Sequence, residues 1–285
     1  KDKNWTFLSR EDLDITSKES ILSYFRLEPY ELVINCTGFT SVDQAEDMEE
    51  QAYSINEEGV KNLIEACKKF NCKLIHYSTD YVFDGESKFP YKETDLTAPL
   101  NVYGMSKLAG ENIIINSSVK SLIIRSSWVY SYFCNNFVKT ILKLGEEKFV
   151  IDVVNDQVGS PTFARDLVKV SLLIINNTNY EWINGGEIIH YSNEGICSWH
   201  QFASKIVQLK NLDIEIKPKT SEEFSAKAER PKYSVLDKSK IKSKFIVEIK
   251  LIIFFFLGNV NLERILLPTS GVIPRITVDD LLIIS

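Results

Sequence analysis

Three short apolar runs, separated by stretches of helical periodicity, constrain the fold of this chain more than any other feature. Glu31–Thr37 (ELVINCT) stops at Gly38, Cys72–Thr79 (CKLIHYST) stops at Asp80, and Ser121–Tyr130 (SLIIRSSWVY) closes the series. Between the first two, Val60, Leu63, Ile64 and Cys67 recur at the spacing of one helical face. Between the last two, a loop rich in Pro, Gly and acidic residues leads into a helical stretch from about Val102 to Ile115. Strand alternating with helix predicts parallel strands joined by crossover helices, an α/β doubly wound sheet. Ligands of such sheets bind beyond the carboxyl ends of the strands, so contacts are expected at Cys36–Phe39, Ser78–Asp80 and Ser127–Trp128. From about Lys148 the pattern loosens, with one more helical stretch over Ser198–Leu209, which predicts a smaller second lobe.

Composition narrows the partners. The 33 basic and 39 acidic residues leave a net charge of −6, against a phosphate-backbone ligand, so no nucleic acid is expected. Five cysteines (Cys36, Cys67, Cys72, Cys134, Cys197) form no C-x-x-C pair and lie near no histidine cluster. Neither a disulfide framework nor a metal site is signalled, and a reducing, cytoplasmic setting is expected. The most apolar run, Leu251–Leu257 (LIIFFFL), is far short of the roughly 20 residues a bilayer crossing needs and reads as a buried strand or helix.

One short stretch suggests chemistry. In "NVYGMSK", Tyr103 and Lys107 stand one helical turn apart and project from one face. A phenol near pKa 10 donates or accepts a proton at neutral pH more readily beside a cation, which Lys107 supplies. Thr79, with Ser78 beside it at the end of the preceding run, offers a hydroxyl to the same carbonyl oxygen. The set describes carbonyl reduction by a hydride carrier. In a chain with 12 tyrosines, about one Tyr-x-x-x-Lys pair arises by chance, so the flanking motifs carry the reading.

Those motifs are "HYSTDYVFDG" (His76–Gly85), "APLNVYGMSKLAGE" (Ala98–Glu111), "RSSWVY" (Arg125–Tyr130) and "NDQVGSPT" (Asn155–Thr162). Together they resemble the dTDP-4-dehydrorhamnose reductase family of extended short-chain dehydrogenases/reductases, over roughly residues 5 to 245. The resemblance implies a Rossmann-like dinucleotide-binding part over residues 1–147 and a substrate-binding lobe over 148–245. It also implies reduction of the 4-keto group of dTDP-4-dehydro-L-rhamnose by NADPH or NADH. Carried over, Tyr103 is the general acid, Lys107 holds the nicotinamide ribose and lowers the tyrosine pKa, and Thr79 holds the ketone. Asp14, Ile15, Cys36, Thr37, Gly38, Phe39, Asn56 and Ser78 fall on the cofactor side. Asp80, Trp128, Gln157 and Arg230 fall on the sugar-nucleotide side, where an arginine fork suits a diphosphate. The expected partner is the dTDP-sugar, with neither metal nor membrane, and a homodimer is compatible with the family. Tyr81 stands where related dehydratases carry glutamate, which disfavours elimination.

The plainer readings stay beside these. Thr79 also reads as a strand terminus, Trp128 as core filling, Asp14 as a cap for Thr16 onward, Arg230 as a surface charge, and the three histidines as structural. The family opens with a first strand and a G-x-x-G-x-x-G turn that meets the cofactor pyrophosphate, and this sequence contains no such turn. About 25 residues of the usual opening are therefore expected to be missing. Loss of the first strand is expected to expose two inner strand edges. After Phe245 the sequence also leaves the family pattern, in a hydrophobic tail over residues 246–285. The alternatives are a non-catalytic nucleotide-binding subunit, like the regulatory subunit of methionine adenosyltransferase, or an inactive fragment.

Overall fold

A computed structural model describes residues 5–251 and 281–284. Its largest sheet runs in the spatial order Trp5–Leu8, Leu281–Ile284, Leu32–Asn35, Lys73–Thr79, Lys120–Ser126, Glu187–His190. Every neighbouring pair along that path is parallel, and Ile183–Asn184 adds a short antiparallel pairing at the start of Lys120–Ser126.

The crossovers follow the sequence pattern. Glu49–Tyr53, a π-helical turn Ser54–Glu58, and the helix Gly59–Phe70 run on from one another between two strands. Asn71 ends that helix with φ 56°, a left-handed position that asparagine tolerates. The helix Val102–Ile115 makes the next crossover, capped by Asn101, whose side chain accepts from the Gly104 N–H. Covering helices explain why the inner strands are apolar in succession: all four residues of Leu32–Asn35 are buried. Alternate residues still divide between the faces. Leu74 and Ile123 pack with Leu63 and Ile114 on one side, whereas Ile75, Leu122 and Ile124 pack with Ile174 and Ile189 on the other.

The slot between Trp5–Leu8 and Leu32–Asn35 is filled. Leu281–Ile284 lies there parallel to both, with Leu282 in register with Thr6 and Val33. The expectation of two exposed inner edges is corrected accordingly, because a backbone ladder closes each edge. Of the Leu251–Leu257 run, residues 252–257 lie outside the described residues.

A third core, with Ile141, Ile151, Phe163, Phe202 and Ile206, sits among the helices Phe137–Glu147 and Trp199–Lys210 and the parallel strands Val150–Val154 and Glu215–Lys219. Residues beyond 147 also return to the large sheet, through the strand Glu187–His190 and through Leu167, Ile174 and Ile241 in its second core. Among the described residues no helix is long and apolar enough to cross a membrane.

Candidate active site

A cavity of about 1500 Å³ opens at the carboxyl ends of the strands, lined by Cys36–Gly38, Ser78–Tyr81, Ser126 and Trp128 from three successive strand ends. Tyr103 and Lys107 reach it from the helix Val102–Ile115, and Gln157, Trp199 and Arg230 also line it. This is the face on which a doubly wound sheet binds ligands.

Two close approaches set the catalytic helix. A Cβ on Gly104 would lie 2.3 Å from the Tyr81 carbonyl oxygen, and one on Gly110 would lie 2.2 Å from that of Asn56. Only glycine lets the helix approach both backbones. The result brings Tyr103 against the turn that follows Thr79, with its ring edge-on to Tyr81 at 5.7 Å between centroids. Burial pushes the Tyr103 hydroxyl up to about 12, while the neighbouring Thr79 hydroxyl pulls the other way.

Lys107 is buried one turn on. Its ammonium donates to the Tyr77 carbonyl at 2.7 Å and meets His76 Nε2 at 3.1 Å. Behind it, His76 Nδ1 lies 3.0 Å from Asn35 Nδ2, and Asn35 Oδ1 accepts from the N–H and hydroxyl of Thr37 at 3.0 and 2.6 Å. Burial lowers Lys107 from 10.5 to about 8, with Glu111 and Cys36 opposing. Burial, Thr79 and Asp80 act on the Tyr103 phenol, while the Lys107 ammonium is engaged by His76 and Tyr77.

Thr79 Oγ1 donates to Asp80 Oδ1 at 3.1 Å and accepts the Tyr81 N–H at 3.2 Å. Asp80 is buried, and burial pushes its carboxyl up to about 7. Asp80 Oδ2, Ser78 Oγ and Ser126 Oγ are buried without a hydrogen-bond partner among the described residues, and all three residues line the cavity.

Several residues expected on the cofactor side have partners in the scaffold. Asp14 accepts from the N–H and hydroxyl of Thr16, and Ile15 is buried against Gly59. Asn56 bonds both backbone groups of Phe39 and the Ser106 hydroxyl, tying the segment after Asn35 to the catalytic helix. Asp14, Ile15, Phe39 and Asn56 lie outside the cavity lining. Cys36, Thr37, Gly38 and Ser78 are in it.

On the sugar side, Trp128 stacks on Trp199 with centroids 3.5 Å apart and planes 9° from parallel. Its φ of 49° is strained for a non-glycine residue and turns the chain out of the strand end. Gln157 Nε2 donates to Ser221 Oγ at 2.9 Å. Arg230 lines the cavity, but its fork is closed on Asp43, with Nη1–Oδ1 at 3.0 Å and Nη2–Oδ2 at 2.5 Å. With the Ala228 N–H, the guanidinium holds Asp43 below the usual carboxylate range. Trp199, Asn35, His76 and Asp43 were not signalled by sequence, since each takes its role from a partner far along the chain.

The sequence matches the family described as the RmlD substrate binding domain across residues 1–251. A dTDP-4-dehydrorhamnose reductase of Aggregatibacter actinomycetemcomitans is 39% identical over 245 residues, 83% of each chain. Spore coat polysaccharide biosynthesis protein SpsK of Bacillus subtilis is 38% identical over 82% of this chain and 81% of its own. Among solved structures, the Bacillus anthracis dTDP-4-dehydrorhamnose reductase in complex with NADP superposes with a TM-score of 0.79 at 38% identity, covering 85% and 84% of the two chains. The Clostridium acetobutylicum dTDP-4-dehydrorhamnose reductase gives 0.80 at 40% identity, covering 87% and 86%. On these matches the chain belongs to the dTDP-4-dehydrorhamnose reductase family.

Proposed function

We propose that this chain reduces the 4-keto group of dTDP-4-dehydro-L-rhamnose to give dTDP-L-rhamnose, using NADPH or NADH. The observation that carries the reading is the Tyr103 phenol sharing one cavity with the Thr79 hydroxyl and the buried Lys107. The unpartnered atoms Ser78 Oγ, Asp80 Oδ2 and Ser126 Oγ suit ligands rich in hydroxyls and amides, which satisfy buried polar groups.

A nicotinamide cofactor bound along Cys36–Gly38, Ser78 and Lys107 supplies the hydride. Thr79 fixes the ketone oxygen by hydrogen bonding, and Tyr103 gives that oxygen its proton as negative charge develops there. A phenol held near 12 keeps its proton until the developing alkoxide, a stronger base, takes it. Asp80, Trp128, Gln157 and Arg230 take the sugar nucleotide, so the cofactor belongs chiefly to residues 1–147 and the substrate to the lobe over 148–245.

Tyr103→Phe tests the reading. NADPH oxidation that depends on the dTDP-keto-sugar should fall by about 10²- to 10⁴-fold, with the melting temperature unchanged. An undiminished rate in the phenylalanine variant would remove the acid role.

A further inference from the structure

Behind the cavity wall a line of side chains runs from the end of one strand to the catalytic helix. It starts at Thr37, which lines the cavity and whose N–H and hydroxyl both donate to Asn35 Oδ1, at 3.0 and 2.6 Å. Asn35 stands in register with His76 on the neighbouring strand, and its Nδ2 lies 3.0 Å from His76 Nδ1. The other ring nitrogen, Nε2, lies 3.1 Å from Lys107 Nζ, and Lys107 lines the cavity again. Asn35, His76 and Lys107 are all buried.

A histidine that only filled the core would be satisfied by any two polar neighbours. Here one of the two is the lysine of the cavity, and that lysine needs a second hold. Its ammonium ends a flexible four-carbon stem, and one hydrogen bond to the Tyr77 carbonyl, at 2.7 Å, leaves it free to swing about that point. The contact with His76 occupies a second of the three directions in which an ammonium donates, and one direction is left. Gly38 marks where Nζ stands: a Cβ on that glycine would lie 3.9 Å from it, so the ammonium sits beside the strand end Cys36–Gly38. Burial, and then the Lys107 charge, keep the His76 pKa well below the usual 6.5, so the ring adds no positive charge beside the ammonium.

We infer that His76 is the positioning residue of Lys107, aiming its ammonium along the strand end Cys36–Gly38, and that Asn35 and Thr37 hold the ring in that aim. The inference rests on the reduction proposed above, in which Lys107 meets the cofactor. His76 and Asn35 lie outside the cavity lining, so they act on a bound cofactor through their neighbours and not by touching it. An ammonium displaced by a fraction of an ångström then costs rate as well as affinity, because the cofactor it holds is presented to the ketone at the wrong place.

Three variants separate the two ends of the ring. His76→Gln carries an amide about as far as Nε2, His76→Asn only as far as Nδ1, and His76→Leu fills the space with no polar atom. In steady-state reduction of the dTDP-keto-sugar, His76→Gln should stay near wild type. His76→Asn and His76→Leu should lose kcat/KM for NADPH on the order of a hundredfold, with KM for the keto-sugar little changed. Equal losses in His76→Gln and His76→Asn, or full activity in His76→Leu, would make the ring core filling and overturn the inference.

Crystal structures of ligand-free wild type and His76→Leu supply a readout that needs no turnover. In the variant, Lys107 Nζ should shift from its wild-type place or spread over several rotamers, and an unmoved Nζ would refute the positioning role. Should the variants fail to fold, wild type crystallised with NADP decides. Nζ should keep its contacts with the Tyr77 carbonyl and His76 while meeting the cofactor, and an Nζ that has abandoned His76 sinks the inference. A wild type that never oxidises NADPH with the keto-sugar would remove the proposed function itself, while the ligand-free structures still report whether His76 sets the place of Lys107.

Discussion

Two cations lie buried in the neighbourhood of one helix, and their surroundings differ. Arg125 meets Glu111 through Nε–Oε1 at 2.9 Å and Nη2–Oε2 at 2.6 Å, with side-chain exposures of 3% and 0%, and its guanidinium carbon sits 5.1 Å from the Phe83 ring centre. Lys107, one turn before Glu111 on the same helix, has only a carbonyl and a neutral imidazole at bonding distance. Glu111 gives its oxygens to Arg125 and reaches Lys107 only as a more distant charge. A buried charge with a complete partner holds structure together. One left with neutral neighbours in a cavity wall is available for chemistry, and burial displaces its pKa.

The comparison breaks most severely at Glu111. Glu111→Gln leaves Arg125 buried with no counter-charge, and chemical denaturation should record a loss of about 3–5 kcal/mol. A loss under about 1 kcal/mol would mean that Arg125 finds solvent or another acceptor, and the distinction between the two cations would dissolve.

Lys107→Met should act in the opposite sense on stability. Removing a desolvated ammonium relieves a penalty, so the variant should be as stable as wild type at neutral pH, or more so, while reduction is lost. The sign follows from the displaced pKa: the folded state, near 8, holds the lysine proton less tightly than the unfolded state, near 10.5. The penalty is therefore complete below about 8 and is relieved as pH rises toward 10.5, a gain of about 3 kcal/mol that denaturation curves should show in wild type and miss in Lys107→Met. Equal slopes in the two proteins would return the wild-type lysine to an ordinary environment.

These side chains also mark what the sequence made legible. Alternation located the strands Leu32–Asn35, Lys73–Thr79 and Lys120–Ser126 and the helix Val102–Ile115, because local periodicity reports which faces are covered. The one-turn spacing of Tyr103 and Lys107 was readable for the same reason. The hold of His76 and Asn35 on Lys107 was not, since it depends on two neighbouring strands coming into register, Asn35 opposite His76. Leu281–Ile284 was equally hidden: a short apolar run looks alike in any sheet position, and only its neighbours decide where it pairs. Resemblance put Asp14 and Asn56 on the cofactor side, and the bonds of their polar atoms to Thr16, Phe39 and Ser106 are a separate matter that only the folded chain shows.

A third pair tests whether burial, rather than pairing alone, separates structural from available charge. Arg230 and Asp43 form a two-pronged pair as Arg125 and Glu111 do, through Nη1 and Nη2 rather than Nε and Nη2, yet the Asp43 side chain is 48% exposed where Glu111 is fully covered. Water already solvates much of this carboxylate, so Asp43→Asn should lower stability by only about 0.5–1 kcal/mol. The loss should shrink as salt screens the pair, read by denaturation at low and high ionic strength. The same change frees the Arg230 fork on the cavity wall, and weaker binding of a dTDP-sugar by the variant would mean that Asp43 aims the guanidinium rather than competes for it. A stability loss equal to that of Glu111→Gln would show that geometry alone sets the strength of these pairs, and the contrast between the covered and the solvated carboxylate would fall.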